Sequence, residues 1–258
     1  MKNNEEVVTV DNQRFLNIVA TLQVQDQTSR GIGTYQEKLL HRALKYYFEP
    51  NEEFHEVKVD PYIADIFNGR SIIEIQTGNF NKIRDKLTAF CSSYPVLLVY
   101  PMAHQKWIRW EEDATGELND RRKSPKVGSV YDFFKELYKI KWFLSHPNLT
   151  CCIILLDLEE TRLLNGWSRD HKKGSSRKER FPIQLINEVY FDTAEDYQLL
   201  IPSSLSGSFT VRDFSTSTKL TLRRSQEAIS VLKELNLIYQ DGKLGRAYTY
   251  CRGKKTTG

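Results

Sequence analysis

The sequence predicts an α/β protein built from two domains, on three observations. Helix-like and strand-like patterns alternate between residues 34 and 102, an apolar run at 150–164 has the character of a buried central strand, and past Thr193 short helices precede paired strands. With 258 residues, 40% of them apolar, the chain can bury a sizeable core. We expect an N-terminal extension at 1–30, a large domain at 31–192 and a small domain at 193–258.

The first half of the large domain shows the order α-β-β-β-α-β. After a short helix around residues 12–21, the leucines of TYQEKLLHRALKYYF stand at helical spacing until Pro50. The three strands that follow are predicted at 53–59, 62–67 and 70–76. NKIRDKLTAFCSSY then predicts a helix, because its apolar residues share one face, and PVLLVYPM predicts a fully buried strand.

The second half of the large domain is less regular. Its expected elements are a strand at 106–112, a polar loop at 114–129, an amphipathic helix at 129–146, the central strand at 150–164, a basic loop at 169–180 and a short helix at 182–191. No internal repeat or low-complexity segment interrupts this order.

The small domain has the layout of a winged helix. AEDYQLLIP predicts a helix, SGSFTVRDFSTSTKL a strand-like entry and a short helix, and TLRRSQEAISVLKELN a longer helix. LIYQDGKLGRAYTY predicts two strands, and we expect the hairpin to turn at Asp241-Gly242, a dipeptide that favours tight turns. Helix, helix-turn-helix and a β-hairpin wing follow one another in that fold.

The charge of the chain is concentrated in two basic segments. The formal net charge is +4, yet from Asp196 onward ten Lys and Arg face five Asp and Glu, and RDHKKGSSRKER at 169–180 carries six basic and two acidic residues. Such segments are often solvated surface, but two of them on one chain favour a polyanionic partner. We therefore expect DNA as partner.

Neither membrane insertion nor disulfides are expected. No apolar run approaches the roughly 20 residues that span a bilayer, and MKNNEEVVTV lacks the order of a signal peptide, so we expect a soluble cytoplasmic protein. The four cysteines show no metal-ligand spacing and are interpreted as reduced core thiols. HExxH, P-loop and G-x-S-x-G patterns are absent.

One predicted hairpin carries polar residues where apolar ones are expected. In ADIFNGRSIIEIQTGNF, a two-residue turn at Asn68-Gly69 would place Asp65 opposite Ile72, with Glu74 as its diagonal neighbour. Glu74 and Gln76 then share the face of Asp65. Two carboxylates at that spacing would repel each other unless a hard cation lies between them, so the pattern predicts a divalent metal site.

The order α-β-β-β-α-β, with Asp65 on the second strand and Glu-x-Gln on the third, resembles the PD-(D/E)XK nuclease superfamily over roughly residues 34–102. The resemblance implies a restriction-endonuclease-like core with a mixed sheet. It further implies that Asp65, Glu74 and Glu37 bind Mg²⁺ or Mn²⁺, and that Gln76 takes the position usually held by a catalytic Lys.

Several simpler interpretations stay open. Gln76 lacks the charge of Lys, and Ala64 stands where the family usually has Pro. Glu37 also completes a capping box with Thr34, and His41, four residues on, is interpreted as a helix-surface residue. Asp65 and Glu74 would carry no metal if their face of the sheet were solvated. Asp60, before Pro61, is the rival for the motif Asp, although Asp-Pro more often starts a turn.

The sequence therefore predicts a metal-dependent DNA endonuclease docked on DNA by a winged helix. The alternative is a catalytically inactive, nuclease-fold DNA-binding regulator or structural factor, and the winged helix could serve protein contacts. A homodimer is compatible with either interpretation. The expected DNA contacts are Lys172, Lys173, Arg177, Lys178 and Arg180 of the basic segment, Thr221, Arg223, Arg224 and Gln226 of the recognition helix, and Lys243 and Arg246 of the wing.

Overall fold

The computed structural model describes residues 10–28, 39–112, 115–167 and 173–253, and it confirms an α/β protein with a mixed sheet. Its strands are β1 (His55–Val59), β2 (Tyr62–Phe67), β3 (Ile72–Ile75), β4 (Val96–Glu111), β5 (Arg122–Val127), β6 (Leu149–Trp167), β7 (Lys173–Phe191), β8 (Phe209–Thr210), β9 (Ile238–Leu244) and β10 (Ala247–Arg252).

The seven strands β1 to β7 form the large sheet. Its order is β1-β2-β3-β4-β6-β7, and β5 pairs with β4. The pairs β2–β3 and β4–β5 are antiparallel and β3–β4 is parallel, which makes the sheet mixed. The apolar run of β6 is buried on both faces, as Ile153 and Ile154 show, because an interior strand is covered from both sides.

The helices flank these strands in the chain. They are α1 (Asn12–Thr28), α2 (Leu39–Phe48), α3 (Arg84–Cys91), α4 (Phe134–Leu137), α5 (Val211–Thr218) and α6 (Leu222–Glu234). Short 3₁₀ helices precede α3 at Phe80–Ile83, flank α4 at Val130–Phe133 and Tyr138–Phe143, and occur at Glu52–Phe54 and Glu195–Leu200. The predicted amphipathic helix at 129–146 is thus a helical segment whose hydrogen-bond pattern changes along its length.

The C-terminal segment contains two helices and a three-stranded sheet. Thr210 and Asp213 form a capping box at the start of α5, and the Thr221 side chain caps α6. β8, β10 and β9 pair in that order, antiparallel throughout. The ring of Phe214 on α5 lies 6.0 Å from that of Phe134 on α4, so these helices share an apolar core with the segment around α4.

Several predicted elements are wrong. Residues 182–191 belong to β7 rather than to a helix, and 173–180 are strand rather than loop, since the backbone of this stretch pairs beside β6 in the sheet. The polar segment 114–129 contains β5. The last hairpin turns at Gly245-Arg246, because Leu244 pairs with Ala247, whereas Asp241 and Gly242 lie at a bulge inside β9.

The chain divides into two compact units, each of several segments. The first comprises Met1–Val57, Pro101–Gly128 and Ile154–Glu188, and the second comprises Lys58–Tyr100, Ser129–Ile153 and Val189–Gly258. The domain limits predicted from the sequence stay a prediction. No helix in the described part of the chain is both long and apolar enough to cross a membrane.

Gly128, the residue after β5, is required by a close backbone approach. A Cβ at this position would lie 1.9 Å from the carbonyl oxygen of Ala103, and the Gly128 N–H donates to the His104 carbonyl at 2.7 Å. We expect Gly128→Ala to lower the free energy of unfolding by about 2–3 kcal/mol, as overpacking does. Gly207→Ala is the control, because a Cβ there meets nothing within 4 Å, and it should change stability by under about 0.5 kcal/mol in urea unfolding. Equal effects would contradict this account.

Candidate functional site

The hairpin between β2 and β3 has a register that differs from the expected one. Ile66 pairs with Ile73 and Phe67 with Ile72, so the connection is four residues long rather than two. The Asn68 side chain organises it by accepting the N–H groups of Arg70 and Ser71 at 3.0 Å each. One step further along this register, Asp65 lies directly opposite Glu74, where the sequence predicted a diagonal pair. The shared face of the two carboxylates was predicted, but its register was wrong.

The two carboxylates bind backbone groups across the hairpin reciprocally. Glu74 Oε1 accepts the N–H of Asp65 at 3.1 Å, and Asp65 Oδ2 accepts the N–H of Ile75 at 2.7 Å. Side-chain oxygens thus accept two backbone N–H groups of this hairpin. Hydrogen bonds of backbone N–H to a carboxylate hold its orientation, so both acids are positioned rigidly.

Lys86 on α3 completes this group, and sequence reasoning missed it. Its Nζ lies 2.7 Å from Glu74 Oε2, while only 4% of the Glu74 side chain is exposed. The same ammonium lies 5.5 Å from the centre of the Phe90 ring, one turn further along α3. The available signal was the i,i+4 spacing of Lys86 with Phe90, which places Lys86 beside the buried face of the helix.

Burial and the neighbouring Asp65 both raise the pKa of Glu74, from its ordinary value of 4.5 to about 7. Desolvation is the larger cause, because it disfavours the charged form of a buried acid. Lys86 acts in the opposite direction and stabilises the carboxylate. The outcome is an acid whose ionisation takes place near neutral pH, and perturbed acids of this kind are common at functional sites.

Gln76 follows β3 directly and begins a loop that a second buried acid holds. The Gln76 Nε2 donates to the carbonyl of Gly78, and Glu136 Oε2 accepts the N–H of Phe80 at 2.9 Å. The side chain of Glu136 is almost fully buried and is paired with Lys139 at 2.7 Å. Through Phe80, this acid of α4 fixes the loop that carries Gln76.

The other candidate ligands are distributed differently. Glu37 lies outside the described residues, so its predicted position at the metal is not tested. Asp60, the rival motif acid, is mostly exposed and pairs with Lys58 at 2.9 Å. Among the described residues, no group of three or more His, Cys, Asp or Glu side chains lies close enough to hold a metal ion. Asp65 and Glu74 therefore form a set of two carboxylates.

The basic segment near residue 175 lies only partly within the described residues. Lys172 and the side chains of Lys173 and Arg177 are outside them. Lys178 forms an ion pair with Glu111 of β4 at 2.5 Å, and Arg180 lies 3.5 Å from the buried Glu160 of β6. Both cations thus have acidic partners within the sheet.

The N-terminal turn of α6 holds the four residues expected to contact DNA. Thr221 caps the helix by accepting the N–H of Arg224, so its hydroxyl is engaged in the fold. Arg223 has 86% of its side chain exposed and lies 3.7 Å from Glu227, which also accepts Arg224 at 2.5 Å. Gln226 is exposed on the same helix.

The hairpin of β9 and β10 presents the two expected wing residues. Arg246 lies in the turn itself, and Lys243 pairs with Tyr248 across the strands, its ammonium 5.0 Å from the Tyr248 ring centre. Both cations are exposed, and so is Leu244, with 71% of its surface accessible. The hairpin tip is therefore a cationic surface with apolar side chains.

The raised pKa of Glu74 predicts a measurable pH dependence of stability. The folded protein binds the proton more tightly than the unfolded chain, so this contribution is complete below pH 4.5 and is lost as the pH rises through 7. It amounts to about 3 kcal/mol. Glu74→Gln, which does not titrate, should therefore gain up to about that much relative to wild type between pH 4 and pH 8 in urea unfolding. Asp60→Asn is the matched control for an exposed acid. A constant difference between Glu74→Gln and wild type would refute the assigned pKa.

Comparison with known proteins identifies the family but no activity. A family model described as a domain of unknown function, DUF8091, matches residues 38–192. An uncharacterized protein of Treponema pallidum (strain Nichols) is 33% identical over 148 residues, which are 57% of this chain and 56% of that protein. The chain thus spans about half the length of this relative. No solved structure matches. Because the matched segment covers more than half of the 258 residues, the chain belongs to the DUF8091 family.

Proposed function

We propose that the protein is a metal-dependent DNA endonuclease of the PD-(D/E)XK type, with a C-terminal winged helix that docks it on DNA. The observation that carries the proposal is the face-to-face pair of half-buried Asp65 and buried Glu74 on one hairpin, with Lys86 against Glu74. The parallel pairing of β3 with β4 and the flanking helix α3 agree with the αβββαβ core that the sequence resembles.

The donor set fits a hard divalent cation. Carboxylate oxygens are the preferred ligands of Mg²⁺ and Mn²⁺, and Mg²⁺ usually takes one or two carboxylates together with waters and substrate phosphate. Asp65 and Glu74 would hold the ion, with Glu37 as the third predicted ligand. A cation between them would also offset the burial and the repulsion from Asp65 that together raise the pKa of Glu74. When bound, the metal supplies Lewis-acid charge at the scissile phosphate.

The protein side chains would then position the phosphate and the attacking water. The Lys86 ammonium supplies the positive charge that Gln76 lacks, and it can donate to a phosphate oxygen while it stays near Glu74. Gln76 uses its Nε2 on the Gly78 carbonyl, which leaves Oε1 as an acceptor for a hydrogen bond from water. Glu136, by fixing the Phe80 N–H, keeps the loop of Gln76 in place.

DNA docking would fall to the exposed cations of the C-terminal segment. Arg223 at the start of α6 and Lys243 and Arg246 on the β9–β10 hairpin are exposed, and their charges suit phosphate contacts. Lys178 and Arg180 would contribute only if the DNA competes with Glu111 and Glu160 for them.

One observation favours the second candidate, an inactive DNA-binding protein on the same fold. Each carboxylate already accepts a backbone N–H, and Glu74 is paired with Lys86, so the group is satisfied without a metal. In that case, the acids serve only to hold the hairpin together. Metal-dependent cleavage separates the two functions.

Asp65→Asn should reduce metal-dependent cleavage of plasmid DNA by at least about 100-fold, because the neutral amide lacks the negative charge with which the carboxylate binds the metal. The fold should persist, since the Asn side-chain oxygen can still accept the Ile75 N–H. The assay compares Mg²⁺, Mn²⁺ and EDTA, with thermal unfolding as the test of folding.

Asp60→Asn is the matched control for the same chemical change at the rival acid, and it should cleave like wild type. Full activity of Asp65→Asn would rule out the assigned site. Loss of activity in Asp60→Asn alone would transfer the motif to Asp60.

Arg223→Ala should weaken DNA binding and lower the slope of log K against log salt by about 0.9, as expected for the loss of one phosphate contact. Binding is measured by fluorescence anisotropy in EDTA at several salt concentrations. Lys58→Ala, which removes another exposed cation that already pairs with Asp60, should leave the slope unchanged. Identical slopes for wild type and Arg223→Ala would assign the start of α6 to a different role.

A further inference from the structure

Two aromatic side chains project from the helical segment around α4 into solvent. Trp142 is 50% exposed and Tyr138 is 41% exposed, whereas Phe134 and Ile140 of the same segment are fully buried. Both belong to the short 3₁₀ segment Tyr138–Phe143, whose backbone is kinked at Ile140 between them. Neither residue is used by the function proposed above.

Each ring is backed by a cation. The Arg84 guanidinium lies 4.4 Å from the Trp142 ring centre, and the Lys141 ammonium lies 5.7 Å from that of Tyr138. Arg84 is held in place because its Nε donates to the Lys139 carbonyl at 2.7 Å, and it forms no ion pair within the described part of the chain. The guanidinium thus supports one side of the indole and half of the Trp142 surface remains accessible.

The surroundings of the two rings are positive. The stretches 82–85 and 135–141 carry five cations, Lys82, Arg84, Lys135, Lys139 and Lys141, against Asp85 and the buried Glu136. Glu234 of α6 adds one further acid, which pairs with Lys141 at 3.3 Å. Phosphate groups complement this excess of positive charge.

This aromatic surface is connected to the carboxylate pair through α3. Arg84, the first residue of α3, supports Trp142, while Lys86, two residues later and about 3 Å further along the helix axis, contacts Glu74. Glu136 provides a second connection. It stands two residues before Tyr138 in the chain, and its carboxylate accepts the N–H of Phe80 in the loop that follows Gln76. Helix α3 thus contacts both the carboxylate pair, through Lys86, and the indole, through Arg84.

We propose that Trp142 and Tyr138, with their supporting cations, form a stacking platform for unpaired nucleobases, so that the substrate contains a single-stranded segment. Bases within a duplex are already stacked on each other. Unpaired bases are free to stack on solvent-exposed aromatic side chains. The assignment of the ligand as DNA rests on the proposed function. The base-binding step itself requires neither metal nor cleavage.

The test measures binding of fluorescein-labelled oligo(dT) to the full-length protein in EDTA. Trp142→Ala should weaken binding by roughly 5- to 150-fold, the loss expected for one stacked base, and Trp142→Phe should restore most of it. An abasic oligomer of equal length should bind wild type and Trp142→Ala equally, because it keeps the phosphates and lacks the bases. Leu199→Ala, at another residue with 67% exposure in the same compact unit, is the control for loss of exposed apolar surface.

Equal oligo(dT) affinity of wild type and Trp142→Ala would overturn the platform and would leave the surface to a protein partner. A parallel loss for the abasic oligomer would overturn it too, since the effect would then be electrostatic. Asp65→Asn separates this proposal from the nuclease: it should keep oligo(dT) binding while losing cleavage. Cleavage by Asp65→Asn at the wild-type rate would refute the nuclease site and leave the platform standing.

Discussion

The placement of two carboxylates face to face across one hairpin constrains the rest of the site. Asp65 and Glu74 repel each other in a largely dry environment, and the fold offsets this with two backbone N–H groups and the ammonium of Lys86. Because Lys86 comes from α3, that helix has to pack on this face of the hairpin. The cost of an unpaired buried charge would otherwise be several kcal/mol.

The neighbouring loop is subject to a similar constraint. Glu136 is buried on α4, and it is stabilised by Lys139 and by the N–H of Phe80, so movement of the loop from Gln76 to Phe80 would remove one of the partners of a buried carboxylate. At the same position, the ring of Phe80 packs edge to face against the rings of Tyr100 and Phe133, which are stacked on each other. Polar and aromatic contacts therefore hold this loop together.

The sequence predicted the α/β class, the first four strands and the shared face of Asp65 and Glu74, because these depend on local periodicity. It failed where pairing decided the outcome. The apolar pattern of residues 182–191 fits a helix and a strand equally well, and pairing with β6 makes this stretch a strand. The register at Asn68 follows from a side chain that accepts two N–H groups, which the Asn-Gly dipeptide alone does not reveal. Lys86 belongs to the site only through the packing of α3, a tertiary relation without a sequence motif.

The packing of Phe214 on Phe134 bears on how this family diversifies. Phe134 lies within the segment matched by the family model, whereas Phe214 lies beyond its end at residue 192. A relative that shares only the matched segment must cover this position of α4 with a different apolar side chain, or else it exposes a ring that is fully buried here. Exchanging the C-terminal helices between relatives as an independent unit would therefore require compensating changes at both rings.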